Sequence, residues 1–317
     1  MNDQGNVTGV RLMDIDANSD GQRVDNFLLR ELKGVPKSRI YRLLRKGEVR
    51  VNKGRVKAEY RLQSGDQVRI PPIRMSEDEG GEVSVSTGLA DRLAGAILFE
   101  DESLIVIDKP SGLAVHGGSG VSLGLIEALR SLRPEARFLE LVHRLDRDTS
   151  GCIMVAKKRS ALLALHEALR GDGIDKRYLA LVTGVWPKNR AEVAVPLEKN
   201  TLKSGERVVR VSATGKEALT RFAVQEVFAG ATLVEARPVT GRTHQIRVHA
   251  QYAGHPIAGD DKYCDRAADE RFRQLGLRRL FLHAHTLDIP WRGARMVLRA
   301  PLPSELKAFL QTLRKPL

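Results

Sequence analysis

Nine consecutive residues, 143–151, carry four charged side chains and one histidine between two short apolar runs. The segment reads His-Arg-Leu-Asp-Arg-Asp-Thr-Ser-Gly. The runs on either side, 138–142 and 152–156, have the length and composition of buried strands. A charged segment between two core strands forms a loop, and loops held by a rigid scaffold are where catalytic side chains concentrate. The chain is therefore expected to fold around a charged loop set in a sheet.

Two carboxylates in this loop are candidates for chemistry. Asp146 and Asp148 are two residues apart, so in an extended loop their side chains and that of Arg144 point to the same side. For Asp148, which precedes a Thr-Ser-Gly turn, we favour local hydrogen bonds that brace the loop. For Asp146 the spacing leaves bracing and catalysis equally open. A metal site made of His143 and the two aspartates is the weaker interpretation, because no second cluster supplies further ligands.

The positive charge of the chain is concentrated near its start. Residues 22–74 contain 15 Lys and Arg against 5 Asp and Glu, so they contribute +10 of the net +13. A strongly basic module beside a nearly neutral one indicates an anchor for a polyanion next to a domain with another task. We predict a tail at 1–21, a basic RNA-binding domain at 22–74, a linker at 75–92 rich in Gly, Ser and acids, and a large domain at 93–317.

The basic module contains a helix with two different faces. Ile40, Leu43 and Leu44 fall on one side of this helix, and the basic residues of the helix lie on the other side. The basic side is expected to contact RNA phosphates, which would position the enzyme without reading sequence. The alternative is a charged face that is merely solvated. The predicted RNA-binding residues are Arg39, Arg42, Arg45, Lys46, Arg50 and Lys53.

Two further features predict a cytoplasmic protein. No apolar run approaches the roughly 20 residues that a membrane-spanning helix requires, and the first residues are polar, without the apolar core of a signal peptide. The two cysteines, Cys152 and Cys264, are far apart in the sequence and form no Cys-x-x-Cys motif. We expect both to be reduced, and we expect no membrane association.

The segment 143–151 resembles the signature loop of RluA-type pseudouridine synthases, in which the first aspartate is the catalytic nucleophile. That aspartate is Asp146 here. Three more segments, 109–116, 176–184 and 240–250, resemble other motifs of the family in the same order. The resemblance extends from about residue 95 to residue 310. Within the family it is closest to enzymes that modify large-subunit ribosomal RNA.

The resemblance also implies roles for individual residues. Tyr178 would face Asp146 and stack on the target base, and Arg247 would form an ion pair with Asp146 and keep it ionised in a pocket that excludes water. Arg144 would assist base flipping. Independently of the resemblance, His244 and His249 are five residues apart, about 140 degrees around a helix, so a shared metal is not expected and a core or capping role is predicted for both. With Arg144, the remaining predicted substrate-binding residues are Arg242, Ile246 and His143.

These implications give a complete prediction. The fold class is α+β, with a catalytic domain built on a mixed, mainly antiparallel sheet and a small N-terminal RNA-binding domain of the alpha-L kind. The function is isomerisation of specific uridines in 23S ribosomal RNA or the large-subunit precursor, without metal or cofactor, by a monomer. Three alternatives stay open: a non-catalytic ribosome-assembly factor, a synthase that acts on tRNA, and a nucleosidase that would use two carboxylates.

Overall fold

The computed structural model describes residues 9–17, 19–32, 35, 37–73, 85–117, 123–171, 173–201, 207–264 and 266–314. The chain divides into two compact units, Met1–Ser84 and Val85–Leu317. Two predicted segments lie partly outside the described residues, namely the tail at residues 1–8 and the linker at residues 75–84. Residues 118–120, which belong to the glycine-rich run 115–120, lie outside them as well.

The first unit packs two helices on a small antiparallel sheet of strand order β1-β4-β2-β3. The apolar stripe of the second helix is buried as predicted, with Ile40 fully buried and Leu43 and Leu44 nearly so. Asn52 and Lys53 have positive φ angles of 49° and 67°, which is the geometry of a tight hairpin turn between β2 and β3. The elements are β1 (Arg11–Asp14), α1 (Val24–Glu31), α2 (Lys37–Lys46), β2 (Arg50–Val51), β3 (Gly54–Arg55) and β4 (Gln67–Ile70).

The second unit alternates strands and helices along the chain. Its elements are α3 (Thr87–Ala94), β5 (Ile97–Glu100), β6 (Leu104–Lys109), α4 (Leu125–Leu132), β7 (Glu140–Leu141), β8 (Ser150–Ala156), α5 (Arg159–Arg170), β9 (Asp175–Thr183), β10 (Glu192–Ala194), β11 (Leu197–Thr201), β12 (Arg207–Val211), β13 (Leu219–Phe228), β14 (Ala231–Pro238), α6 (Gln245–Tyr252), α7 (Arg266–Gln274), β15 (Leu282–Trp291), β16 (Ala294–Arg299) and α8 (Ser304–Arg314).

One mixed sheet organises this unit, with strand order β10-β13-β14-β9-β15-β8-β6-β5. Strand β8 runs parallel to β15, and the other named neighbours are antiparallel. The predicted α+β class with a mainly antiparallel sheet is therefore confirmed. The parallel pair lies at the end of the charged loop, where Gly151 has a φ of 109°. A Cβ atom there would clash with the carbonyl oxygen of Ala284, so the loop must end on glycine.

Two predicted boundaries were wrong. The strand predicted at 138–142 is shortened to β7, because side chains contact backbone carbonyls that a longer strand would use to hydrogen-bond with its neighbour. Arg130 donates two hydrogen bonds, of 3.1 and 2.7 Å, to the Leu139 carbonyl, and the His166 imidazole lies 3.0 Å from the Val142 carbonyl. The linker predicted at 75–92 contains the start of α3, which Ser86 caps through its hydroxyl. Each helix in the described parts of the chain is too short or too polar to cross a membrane.

Candidate active site

A cleft of about 690 Å³ lies in the second unit, beside the charged loop. The loop between β7 and β8 forms one wall, β9 contributes to the floor, and the segment from the end of β14 into α6 forms the opposite wall. The seven residues predicted for catalysis and substrate binding all line it: His143, Arg144, Asp146, Tyr178, Arg242, Ile246 and Arg247.

The charged loop is held from behind by a buried lysine. Lys109, at the end of β6, is fully buried. Its Nζ donates to the carbonyls of Pro110 (2.8 Å), Leu113 (2.8 Å) and Arg147 (3.0 Å). Burial lowers the pKa of this ammonium group to about 7. Because a buried ammonium needs such partners, the Lys109 contacts fix the loop against the sheet.

The loop turns and is not extended, which corrects one prediction. The Thr149 N–H donates to the Asp146 carbonyl at 3.2 Å, closing a turn. Asp146 and Asp148 therefore do not point the same way: Asp146 lines the cleft, and Asp148 lines a separate cavity. Asp148 makes the local contact that was predicted, 3.3 Å from Arg147 Nε. Asp146 alone of the two faces the predicted substrate-binding residues.

Asp146 lies between two nitrogen groups. Its Oδ2 is 3.6 Å from Nη1 of Arg247, and its Oδ1 is 3.8 Å from Nε2 of His244. The side chain is 17% exposed, so a ligand in the cleft can reach it. Both distances exceed those of strong hydrogen bonds, which leaves the oxygen lone pairs free for another partner.

Arg247 is held by a residue that sequence reasoning did not assign. Its guanidinium donates from Nε and Nη2 to the two Asp260 oxygens, both at 2.7 Å. The Tyr263 ring lies 5.0 Å from the guanidinium carbon. Burial acts to lower the pKa of Arg247, but hydrogen bonds and charge from Asp260, together with Asp146, raise it above its usual value. The cation is thus permanent, and Asp146 is one of two further carboxylates 3.6 Å from it, the other being Asp261.

His244 was also missed as a functional residue. It adopts a left-handed backbone with a φ of 52° directly before α6. The cause lies in the next residue, Gln245, whose amide oxygen accepts from Thr240 Oγ1 (2.6 Å) and the Arg242 N–H (3.0 Å). A left-handed histidine before a helix is uncommon, and such strain is concentrated at functional sites.

The contacts of His244 favour one tautomer. The Tyr263 hydroxyl accepts from the Val209 N–H at 2.9 Å and lies 2.7 Å from His244 Nδ1. Donation of the hydroxyl proton to Nδ1 uses the hydrogen-bonding groups on both sides of this contact, and it places the imidazole proton on Nε2, facing Asp146. Burial lowers the pKa of His244 despite the nearby charge of Asp146, in agreement with a neutral ring.

Tyr178 lies in the middle of the sheet with small neighbours. Its partners across β14 and β15 are Ala236 and Ala284, which leave room beside the ring. Burial and the charge of Asp146 raise the pKa of the Tyr178 phenol, so it is neutral at physiological pH. Ile246 belongs to the same buried apolar cluster. A planar apolar ligand could therefore lie against this part of the cleft.

His143 is braced against the sheet. Its Nε2 accepts from the Met154 N–H at 3.2 Å, and burial lowers the pKa of the ring to about 3. It therefore acts as a neutral acceptor that ties the loop to β8. Arg144 and Arg242 are exposed at the cleft, and Arg242 donates from Nε to the Glu217 carbonyl at 3.0 Å.

The site thus combines a reachable carboxylate, a fixed arginine, a neutral imidazole N–H and a neutral phenol. Carboxylate, imidazole and phenol groups can act as nucleophile, acid or base, and the cations can hold a polyanionic substrate. No three His, Cys, Asp or Glu side chains in the described regions are arranged to hold a metal ion.

Comparison with known proteins agrees with this chemistry. Residues 103–252 match the family model described as RNA pseudouridylate synthase, and residues 22–68 match that of the S4 domain. The chain is 60% identical over 308 residues to ribosomal large subunit pseudouridine synthase C of Pasteurella multocida, covering 96% of this chain and 94% of that protein. It is also 60% identical over 309 residues to the same-named protein of Escherichia coli K12, covering 96% and 97%.

A solved structure gives the same result for the catalytic fold. Human RNA pseudouridylate synthase domain containing 4 superposes with a TM-score of 0.61 at 31% identity, covering 72% of this chain and 96% of that one. With full-length relatives at this identity, the chain belongs to the RluA-type family of RNA pseudouridine synthases.

Proposed function

We propose that this enzyme isomerises uridines to pseudouridine in the 23S ribosomal RNA of the large subunit. The relatives at about 60% identity carry names that specify the large ribosomal subunit. The observation in the molecule itself that carries the proposal is the position of Asp146, reachable in the cleft between Arg247 and His244.

In this reaction the bond between uracil N1 and ribose C1′ breaks and a bond between C5 and C1′ forms. The C5 hydrogen leaves to solvent as a proton, and N1 takes up a proton in its place. No atom of the base is lost otherwise, and the reaction balances without an oxidant or reductant. Asp146 is the proposed nucleophile or charge stabiliser at the glycosidic bond, since an aspartate is ionised at neutral pH. Arg247 offsets its negative charge in the cleft.

A uridine in folded RNA must leave its stack before it can reach Asp146, which costs a few kcal/mol. Tyr178 and Ile246 are the proposed surface for the flipped base, and Arg144 the residue that offsets the flipping cost. Arg242 is proposed to contact the adjoining backbone, and His143 to support substrate binding by holding the loop.

The basic module is proposed to anchor the RNA. In α2, Arg42, Arg45 and Lys46 are exposed beside the buried stripe, and Arg50 and Lys53 are exposed at the hairpin. With Arg39, these residues would contact phosphates. We further propose an RNA-binding domain at 22–74, action as a monomer without a cofactor, and a cytoplasmic location.

The test is tritium release from in vitro transcribed 23S RNA that carries uridine labelled at C5. Wild type should release tritium while all uracil stays attached to the RNA, and Asp146→Asn should fall to background with nearly unchanged RNA affinity. Asp148→Asn is the matched control, because that carboxylate belongs to the same loop but lines another cavity. It should keep the wild-type single-turnover rate at saturating RNA.

Other outcomes point elsewhere. Free uracil in solution would indicate a nucleosidase, and binding without release by wild type would indicate an assembly factor. Release from tRNA transcripts but not from 23S RNA would move the substrate to tRNA. Equal release by wild type and Asp146→Asn would remove Asp146 from the chemistry.

A further inference from the structure

A second cavity, of about 1220 Å³, lies on the other side of the charged loop. Six parts of the second unit line it: Arg92 and Ala96 in and after α3, residues 108–112 at the end of β6, the loop itself, Gly259 and Asp261, residues between 273 and 280 at the end of α7, and residues between 301 and 307 at the start of α8. It is larger than the active-site cleft. We call it the second cleft.

The charged loop is the ridge between the two cavities. Residues 143–146 and Thr149 face the active-site cleft, whereas Arg147, Asp148 and Ser150 face the second cleft. The partition is thin elsewhere too, because Asp261 in the second cleft lies 3.6 Å from Nη2 of Arg247 in the first. A polymer that enters the active-site cleft at the charged loop therefore needs to pass over only this loop to reach the second cleft.

The second cleft presents cations that the protein does not neutralise. Within the described regions, Arg92, Arg278 and Lys307 have no carboxylate within 4.0 Å, and all three are exposed. The Arg147 side chain is 63% exposed, and among the described residues its ion pair is with its neighbour Asp148. By contrast, Arg279 is paired with Glu305 at 3.1 Å. Unpaired cations along one wall favour a ligand that brings several negative charges.

The acidic residues of the second cleft reduce this charge without cancelling it. Its four carboxylates belong to Asp108, Asp148, Asp261 and Glu305. Burial raises the pKa of Asp108 to about 6, so this carboxylate is still mostly ionised at pH 7. The remaining three lie beside arginines of the site or of the loop. The lining includes seven Lys and Arg, but Lys109 is fully buried and Arg273 is paired with Asp269. The excess of positive charge is therefore carried by the exposed Arg92, Arg278 and Lys307.

The lining also indicates which part of an RNA would bind. None of the described residues that line the second cleft is aromatic, so it offers no ring on which a base could stack. Stacking on aromatic rings is how proteins usually hold single-stranded bases. The cleft is therefore suited to the sugar-phosphate backbone, in contrast to the active-site cleft with Tyr178.

We propose that the second cleft binds the backbone of the RNA strand that delivers the target uridine across the charged loop. The proposal rests on the proposed function, since the strand is that of the substrate. Phosphate contacts of this kind set the register of the RNA and do not read its sequence. Arg92, Arg278 and Lys307 would hold the strand on the far side of the ridge while the uridine occupies the active-site cleft.

The experiment compares two triple variants of the full chain. The test variant carries Arg92→Ala, Arg278→Ala and Lys307→Ala. The control carries Arg137→Ala, Lys188→Ala and Arg299→Ala, which removes the same charge at exposed positions of the same unit that line neither cleft. Affinity for in vitro transcribed 23S RNA is measured across a range of salt concentrations, and single-turnover tritium release is measured at saturating RNA.

Each lost phosphate contact should reduce the slope of log affinity against log salt by about 0.7 to 0.9, so the test variant should lose about 2 to 3. Its single-turnover rate at saturation should stay within about twofold of wild type, because no group that contacts the uridine has changed. The control should keep the wild-type slope.

Two results would overturn the proposal: a test variant with the slope of wild type, or a control that loses as much slope as the test variant. Failure of the proposed function looks different. In that case wild type releases no tritium, while the slopes of the two triple variants still differ.

Discussion

Removing the carboxylate of Asp260 should destabilise the second unit far more than removing its neighbour Asp261. Both carboxylates contact the Arg247 guanidinium. The Asp260 side chain is fully buried and makes two 2.7 Å hydrogen bonds with Arg247, and one of its oxygens also accepts from the N–H groups of Lys262 and Tyr263. The Asp261 side chain is 66% exposed and lies 3.6 Å away. The pair of substitutions separates a buried contact from an exposed one at the same cation.

The magnitude follows from burial. Arg247 is 3% exposed, so Asp260→Ala leaves a buried cation without its main partner, which costs about 3 to 5 kcal/mol. Asp261→Ala should cost less than about 0.5 kcal/mol, as for exposed ion pairs. With a urea m-value of about 3 kcal/mol/M for a unit of this size, the midpoint should fall by roughly 1 to 2 M for Asp260→Ala.

The assay is urea unfolding followed by tryptophan fluorescence. The chain has two tryptophans, Trp186 and Trp291, and both belong to the second unit, so the signal reports that unit without interference from the first. Midpoints of the two variants within about 0.3 M of each other would refute the reasoning, since the structure would then overstate the dependence of Arg247 on Asp260.

Three further changes test other contacts. Tyr263→Phe removes the hydroxyl that donates to His244 Nδ1, so nitrogen NMR of the imidazole should no longer show a single tautomer. The single-turnover rate should fall about tenfold, which is the effect of losing one hydrogen bond. An unchanged NMR spectrum would contradict the proton assignment. Gly151→Ala and Gly276→Ala both introduce a side chain at positive φ, but only the added Cβ at position 151 would clash with backbone atoms. In thermal or urea unfolding, Gly151→Ala should therefore be less stable than Gly276→Ala by at least about 2 kcal/mol. Equal losses of stability would argue against the close approach at Gly151. Burial lowers the pKa of His283 from 6.5 to about 4, so the stability contributed by the neutral ring is complete above pH 6.5 and is lost as the pH falls towards 4. Urea midpoints should therefore drop between pH 7 and pH 5 by the equivalent of about 2 kcal/mol. Midpoints that do not change with pH would contradict this.

Local patterns were sufficient for most of the elements. The period of Ile40, Leu43 and Leu44 predicted the buried stripe of α2, and the apolar run 152–156 predicted most of β8. The errors occurred where distant side chains intervene. Strand 138–142 is shortened because Arg130 and His166 approach its carbonyls, and neither approach is visible in the strand's own sequence.

The residues of the candidate site were predicted from sequence motifs, whereas the contacts that hold them in place were not predicted. Asp146, Tyr178 and Arg247 were identified from short ordered segments, and the cleft brings them together. No role was predicted for Asp260, although it is the bidentate partner of Arg247. The proton on His244 depends on Tyr263 and on a backbone N–H of β12. Such a chain of donors and acceptors arises from tertiary packing, which spacing along the sequence cannot reveal.

The direction of Asp146 shows most clearly what the sequence conceals. An extended loop would point both aspartates into one cleft, but the turn closed by Thr149 separates them. That turn is stabilised by Lys109, which a sequence pattern would assign to the surface because lysine is almost never fully buried. Its Nζ binds the Arg147 carbonyl, in the middle of the loop, and two carbonyls of its own segment. Lys109→Met should therefore slow tritium release through a displaced Asp146, although Lys109 does not line the active-site cleft; an unchanged rate in a folded variant would show that the loop holds its shape without the lysine.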